Sequence, residues 1–379
     1  MSQLDLAPVL APGVFMHGRS PTYLGFSHRG LFLELNNQPE LHALLATLMK
    51  DRVESKKGAA PSSLSLLAES FAIPGDQLLE FLRPLIADGF IFLQVPVEAE
   101  YQTASVKSES LASRIRSEES ISQWRSPGYA RDEILNRANF SILIFGKNRL
   151  ALTIYSLLLA AGFSHCKVIS RERGIRLTRT ALNTSGLTRP PAKRVEPSDI
   201  YGLTMRNSDI GRDINEVMQD IRKSSSLVYL DNLAMPRTPD FIISAESTAP
   251  ELSQRWISEA TAHIAISDLE ESFIDLGPLV IPGATPCLNC VGLAKSEKSP
   301  IYRDFELLKS LARPEEIPAG LVALISGAVV LEVAEFAATG VSSLVGATAR
   351  YDARHSSHPI RQYWNRSEEC GCTEKIISR

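Results

Sequence analysis

Five cysteines occur in this 379-residue chain, and four of them fall into two tight pairs. Cys287 and Cys290 stand in Pro282-Gly283-Ala284-Thr285-Pro286-Cys287-Leu288-Asn289-Cys290, and Cys370 and Cys372 in Glu369-Cys370-Gly371-Cys372. Two residues between cysteines let both thiolates turn inward onto one metal ion, at about 2.3 Å for zinc. Pro282, Gly283 and Pro286 help shape such a knuckle. The second pair has one intervening residue, and Gly371 gives the backbone freedom to aim both sulfurs the same way. Four thiolates fill a tetrahedron and leave no open position. The expectation is therefore one structural zinc that staples the C-terminal segment to the core of its module and does no chemistry. Two unrelated pairs, or a redox pair, form the alternative, and the pairing of four cysteines out of five argues against both. Cys166 reads as a small, buried apolar residue.

A second stretch bears on nucleotide chemistry. Ser141-Ile142-Leu143-Ile144-Phe145 suits a buried parallel strand, Gly146 follows at once, and Leu150 to Ala161 has helical spacing. Strand, glycine and helix make the place where a phosphate sits against a helix N-terminus. The fingerprint G-x-G-x-x-G reads here Gly146, Lys147, Asn148, Arg149, Leu150, Ala151. Asn148 replaces the glycine that lets backbone approach phosphate, and Ala151 replaces the third. Ser170 and Arg171 stand where a ribose-binding acid belongs. The reading is a nucleotide fold whose phosphate turn is degenerate, with Lys147 and Arg149 left as a residual anion site. The seven histidines show no metal or catalytic spacing. His165 and Cys166 are neighbours on a strand and point to opposite faces, which makes them a poor nucleophile–base pair.

These residues need elements to position them. The length fits two domains, and a hydrophobic share of 44% can bury a sizeable core. The formal charge of -3, with mixed signs throughout, lacks the footprint of a nucleic-acid binder. Met1 to Val9 has no secretory pattern. The longest apolar run, Ala319 to Ala338, is broken by Gly327, Glu332 and Glu335 and reads as a buried helix rather than a membrane span. The expectation is a soluble, cytoplasmic protein, where paired cysteines bind metal more often than they form disulfides.

Residues 1–95 read as one small module. Strand-like runs at Val14–Met16, Thr22–Phe26 and Leu31–Leu35 precede helices at Pro39–Met49, around Leu64, Leu67 and Phe71, and from Pro74 to Leu85. Phe90–Leu93 returns as a strand. This order suits a winged-helix module. Its helices lack a basic stripe, which disfavours DNA, whereas an exposed strand edge beside the third helix suits strand addition by a peptide. Residues 96–139 are polar and serine-rich, a linker with some helix. Residues 140–379 alternate strands and helices, which indicates α/β architecture with a mainly parallel sheet. Within it Arg171 to Asp199 reads as loop, Met205 to Ser224 as partly helical and Leu227–Leu230 as a strand. Further strands are expected at Asp240–Ala245, His263–Ser267 and Thr348–Ala353, with helices at Pro250–Ala262 and Gly320–Ala338.

The span from Phe140 to Cys372 resembles the ThiF-type, ubiquitin-activating-enzyme-like superfamily. Within it, the chain is similar to the branch found with thiazole/oxazole-modified peptides, the ocin-ThiF-like proteins or cyclodehydratase C components. Gly277 to Cys290 and the Cys370–Cys372 tail carry the resemblance. So does Ser185-Gly186-Leu187-Thr188-Arg189-Pro190, a worn form of the family's Ser-Asn-Leu-x-Arg-Gln loop. The first module is similar, in its order of elements, to the winged-helix leader-recognition domain of that branch. The resemblance implies a non-catalytic scaffold that captures the leader of a ribosomally made precursor, such as a bacteriocin, and presents it to an ATP-dependent YcaO-type cyclodehydratase. By that pattern the leader adds as a strand between Leu31, Phe32, Leu33, Glu34 and Leu35 on one side and Leu78, Leu82 and Leu85 of the third helix on the other. The family also implies a homodimer through the α/β domain. The alternative is an active ThiF-type enzyme that adenylates a peptide carboxylate or side chain. The missing phosphate-turn glycines and ribose acid depart from such enzymes. Glu246 and Ser247 stand near the place of their metal-binding aspartate, and Glu246 reads as a solvated loop residue.

Overall fold

A computed structural model describes residues 3–11, 13–17, 22–26, 31–35, 39–55, 61–94, 117–118, 121–122, 130–169, 193–200, 204–226, 238–248, 250–299, 301–302, 304, 316–355 and 358–373. The expected strand at Leu227–Leu230, the worn loop at Ser185–Pro190 and most of the linker lie outside these residues. The chain divides into two compact units, Met1–Leu135 and Asn136–Arg379.

In the first unit, β1 (Ala7–Leu10) pairs antiparallel with β5 (Ile91–Gln94), in the register Ala7↔Gln94 to Leu10↔Ile91. Strands β2 (Val14–His17), β3 (Thr22–Phe26) and β4 (Leu31–Leu35) form a separate antiparallel sheet in that order. Three helices follow: α1 (Pro39–Ser55), α2 (Leu64–Phe71) and α3 (Gly75–Ala87). Leu41, Leu44, Leu45 and Leu48 recur three or four apart on α1, and all four are buried. They meet Leu64 and Leu67 of α2 and Leu78, Leu82 and Leu85 of α3 in one core with Val14, Leu24 and Phe90. Each such fully buried side chain contributes about 1.5–3 kcal/mol. The Ser63 hydroxyl caps α2 by accepting from the Leu66 N–H at 3.3 Å. The closing strand was expected, whereas β1 is an addition. Pro8 masks it in the sequence, because proline is tolerated in a strand only where its missing N–H faces no partner.

The second unit opens with α4 (Ala130–Arg137), which spans the division, and then builds β6 (Ile142–Phe145), α5 (Arg149–Ala160) and β7 (Cys166–Ile169) as a βαβ unit. After it come α6 (Ile214–Ser225), β8 (Phe241–Ser244), α7 (Pro250–Ser258), β9 (Ala262–Ile266) and β10 (Phe273–Val280). The chain continues through α8 (Leu288–Lys298), α9 (Ala319–Thr339), β11 (Ala347–Asp352) and β12 (Ile360–Tyr363). Seven strands form one sheet in the order β12-β11-β10-β9-β8-β6-β7. Pairs among β7, β6, β8 and β9 are parallel, and those among β9, β10, β11 and β12 are antiparallel. The sheet is therefore mixed, which corrects the mainly parallel expectation.

The correction has a local cause. Strand β10 carries Gly277-Pro278 at its centre, a pair that reads as a turn, and its register with β9 shifts between Leu276 and Leu279. Gly277 holds φ 98°, and a Cβ there would stand 2.6 Å from the Ala347 carbonyl oxygen, so only glycine fits. Strand β12 is short and largely exposed, with no alternation to announce it.

Helix α9 is long and apolar enough to cross a bilayer by length and composition. Here Leu321, Val322, Ile325, Val329 and Val333 are buried in the core that α5 and the sheet share, and Phe336 stacks on Phe241 at 5.2 Å. Gly340, at φ 71°, terminates it.

One buried group makes stability depend on pH. His263 of β9 is fully buried, its Nδ1 lies 3.0 Å from the Thr261 carbonyl oxygen, and its ring packs 5.1 Å from Trp256. No partner reaches its Nε2 among the described residues. Burial pushes its pKa down to about 4, from 6.5 when unfolded. The contribution is complete above the unfolded value and is lost as pH falls from there towards 4, where the unfolded chain alone takes up the proton. Denaturant titrations at pH 7 and pH 4.5 should show His263→Gln losing less stability on acidification than the parent, by roughly 2–3 kcal/mol. Equal losses would remove His263 as the cause.

Candidate functional site

The knuckle begins where β10 ends. The Ile281 N–H donates to Thr285 Oγ1 at 2.9 Å, and the N–H groups of Ala284 and Thr285 return to the Ile281 carbonyl at 3.0 and 3.1 Å. Gly283 sits in this turn at φ 76°. Cys287 is the N-cap of α8, and Cys290 lies in its first turn. The tail reaches the same place after β12: the Cys370 N–H donates to the Ser367 carbonyl at 3.1 Å, and Gly371–Thr373 forms a single 3₁₀ turn.

The four sulfurs lie within 4.8 Å of one another, and all four residues are buried. Cys287 Sγ is 3.8 Å from Cys290 Sγ and 3.5 Å from Cys370 Sγ, and Cys290 Sγ is 3.5 Å from Cys372 Sγ. A tetrahedron with 2.3 Å metal–sulfur bonds has edges of about 3.8 Å. The residues fit a four-coordinate thiolate site, and no disulfide joins them. Ile257, Val280 and Leu293 pack around the cluster.

Without a cation the cluster titrates unevenly. Burial pushes the Cys287 thiol well above its ordinary value. Cys372 is pushed up to about 11 by burial and the neighbouring thiols. Burial also acts against ionisation of Cys370, but the Cys372 N–H, the Asn289 amide and the adjoining thiols outweigh it and bring the group down to about 7. Asn289 Nδ2 donates to Cys370 Sγ at 3.2 Å, and the Ser367 N–H to Cys290 Sγ at 3.5 Å. Sequence reasoning passed over Asn289. Its position between two cysteines of a knuckle was the available signal, because outer residues there face the sulfurs.

The other expected site lies at the opposite half of the sheet. Strand β6 is flanked by β7 and β8, so the crevice between the ends of β6 and β8 is the switch point where ligands of such sheets bind. Asn148 fills it from within. Its Oδ1 accepts from the Ala151 N–H at 2.8 Å and caps α5, while its Nδ2 donates to the Ala245 carbonyl at 2.9 Å. One side chain thus takes the helix N–H that would meet a phosphate and ties β6 to β8. Gly146 retains φ 120°, and Ala151 packs 3.5 Å from the place a Cβ would take there. The two cations of the expected anion site have partners. Lys147 Nζ donates to Asn215 Oδ1 at 3.1 Å. Arg149 donates to the Ile317 carbonyl and lies 3.6 Å from Glu316. Glu246 is partly buried, which corrects its reading as a solvated residue.

For the peptide residues the outcome is divided. Strand β4 pairs with β3 from Phe26↔Leu31 to Thr22↔Leu35 and is the end strand of its sheet. Leu33 packs partly on the core, and Glu34 is exposed. Leu78, Leu82 and Leu85 are core residues, 1%, 0% and 2% exposed, which corrects their placement in a peptide groove. The apolar spacing that marked them is the buried face of α3, and Leu79, Phe81 and Ile86 are its partly buried side chains.

No known family profile matches the sequence, and no curated protein does. Solved structures do match. The Escherichia coli MccB structure with MccA-N7isoAsn is 15% identical, with 97% of this chain and 100% of that one covered at a TM-score of 0.60. The structure of MccB, described as a microcin C7 biosynthetic enzyme, with N-formylated MccA gives the same identity and TM-score over 97% and 99%. MccB with ATP is 15% identical over 97% and 99%, at 0.58. PaaA matches over 76% of this chain and 92% of its own, at 15% identity and 0.53. At these identities what is shared is the fold: a small N-terminal part followed by an α/β part of MccB type.

Asn148 makes a local prediction. Asn148→Ala removes both the cap and the tie, and should lower stability by about 1–2 kcal/mol in chemical denaturation. A neutral result would deny the residue its structural role.

Proposed function

We propose that the chain is a non-catalytic scaffold that binds the leader of a ribosomal precursor peptide and presents it to a YcaO-type cyclodehydratase for azole or azoline formation. The observation that carries the scaffold part is Asn148, whose side chain occupies the helix N-terminus and bridges the crevice where a nucleotide phosphate belongs. Lys147 and Arg149, engaged with Asn215 and with Ile317 and Glu316, support it. In this reading residues 1–95 are the leader reader, 96–139 a linker and 140–379 the docking platform. The leader pairs along β4, because among the described residues no strand covers its outer edge. The protein works in the cytoplasm as a homodimer through its α/β unit, without nucleic acid or membrane.

Cys287, Cys290, Cys370 and Cys372 hold one structural zinc in this proposal. The ion supplies charge and a fixed junction between knuckle and tail, and the four thiolates leave it no place for substrate. Elemental analysis of the purified protein should find about one zinc per chain, and Cys290→Ser should lower both that content and the thermal midpoint. Full stability in a metal-free preparation would refute the assignment.

A second reading has its own support. The structures that match over 97% of this chain include MccB with ATP and with AMPCPP and MccA, which favours an enzyme that adenylates a peptide. ATP–pyrophosphate exchange, run with and without a candidate precursor, separates the two. The scaffold reading expects background exchange in both cases. Robust peptide-dependent exchange by the isolated protein transfers the assignment to the enzyme.

A further inference from the structure

Strand addition along β4 takes its strength from main-chain hydrogen bonds, which are the same for every sequence. Side chains must set which segment pairs, and in which register. The ladders of the three-stranded sheet make five cross-strand rows: Val14–Phe26–Leu31, Phe15–Gly25–Phe32, Met16–Leu24–Leu33, His17–Tyr23–Glu34 and Thr22–Leu35. Successive rows point to opposite faces. Val14 and Leu24 are buried in the core, and Met16 and Leu33 pack partly on it. The first and third rows therefore face inward, and by alternation so does the fifth. The second and fourth face outward, where Phe15 is 59% exposed and His17 and Glu34 are exposed. Glu34 is the one carboxylate in these rows, and the other four rows carry no charged residue.

A strand that pairs with β4 extends each row by one residue. Beside Glu34 it places an outward side chain, and beside Leu33 and Leu35 it places inward ones. Opposite charges facing each other stabilise a ladder, and like charges destabilise it. An added strand that is otherwise apolar keeps its faces when it slips by two residues, so a single charged row is what penalises the slip. We infer that Glu34 is the specificity-determining residue of the leader site. The segment it selects is extended and carries Lys or Arg between two apolar residues. That pattern reads the same in both chain directions. The inference rests on the reading of β4 as the leader edge. A glutamate on an end strand has a rival role, keeping other strands away, and the two roles answer differently to substitution.

The test pans a phage-displayed library of random peptides against the full-length protein and against its Glu34→Lys and Glu34→Gln variants. Selected peptides, and counterparts with Glu in place of the basic residue, are then compared by fluorescence anisotropy. A benzophenone in each peptide maps its contact by mass spectrometry. The parent should enrich Lys or Arg between apolar residues and bind such a peptide about three- to tenfold more tightly than its acidic counterpart. Glu34→Lys should invert that order, and Glu34→Gln should abolish it. High salt should shrink the preference, because the pair is exposed. Peptides that cross-link to β4 without regard to charge, or with acidic residues preferred, overturn the inference and leave the leader edge intact. Equal tightening of every peptide by Glu34→Gln assigns the residue to edge protection instead. Cross-links elsewhere, or no enrichment at all, overturn both. If Glu34→Lys does not fold, the isosteric Glu34→Gln decides the question.

Discussion

Four buried sulfurs within 4.8 Å of one another are the constraint on which the second unit rests. Thiolates at that spacing repel one another, and burial raises the cost of every charge. The cluster is therefore held together either by protons or by a cation. The backbone at both contributions favours thiolates, the form of the sulfurs that a cation requires, with Cys287 at a helix N-cap and an N–H bond onto Cys290 from the segment that carries the tail. What the junction secures is the outer, antiparallel half of the sheet. Strands β11 and β12 follow the knuckle, and Trp364, just after β12, donates from Nε1 to Thr348 Oγ1 at 3.1 Å before the tail arrives.

The inner, parallel half obeys a different constraint. Its switch-point crevice keeps the glycine at φ 120° and the helix aimed at it, so the shape of a phosphate site persists. A single amide group changes what that shape can do. Asn148 satisfies the helix N-terminus internally, and an anion arriving there would have to displace a hydrogen bond already made at 2.8 Å. Fold and site chemistry are separate questions here, and the likeness to MccB at 15% identity speaks to the fold alone.

Much of this was legible in the sequence, for definite reasons. The cysteine spacing identified the cluster because thiolate geometry is strict. The run Ile142–Phe145 with Gly146 identified the βαβ opening because buried parallel strands read as unbroken apolar runs. Strand β10 stayed hidden because Gly277-Pro278 imitates a turn, and with it the change from parallel to antiparallel pairing. Leu78, Leu82 and Leu85 were read as contact residues, although apolar residues spaced along a helix first of all mark the side it buries. Asn148 was noticed for the glycine it replaces. Its bond to Ala245, 97 positions away, could come only from the fold.

The knuckle and the tail also have an order in time. Cys290 and Cys372 stand 82 positions apart, so the first pair of ligands leaves the ribosome well before the second. At roughly 5–20 residues per second, the nascent chain carries an incomplete, two-sulfur site for about 4–16 seconds. In that interval the dithiol has neither its two partner sulfurs nor its covering segment. The four-sulfur cluster thus closes only after the tail has been made, and the first pair waits for the second.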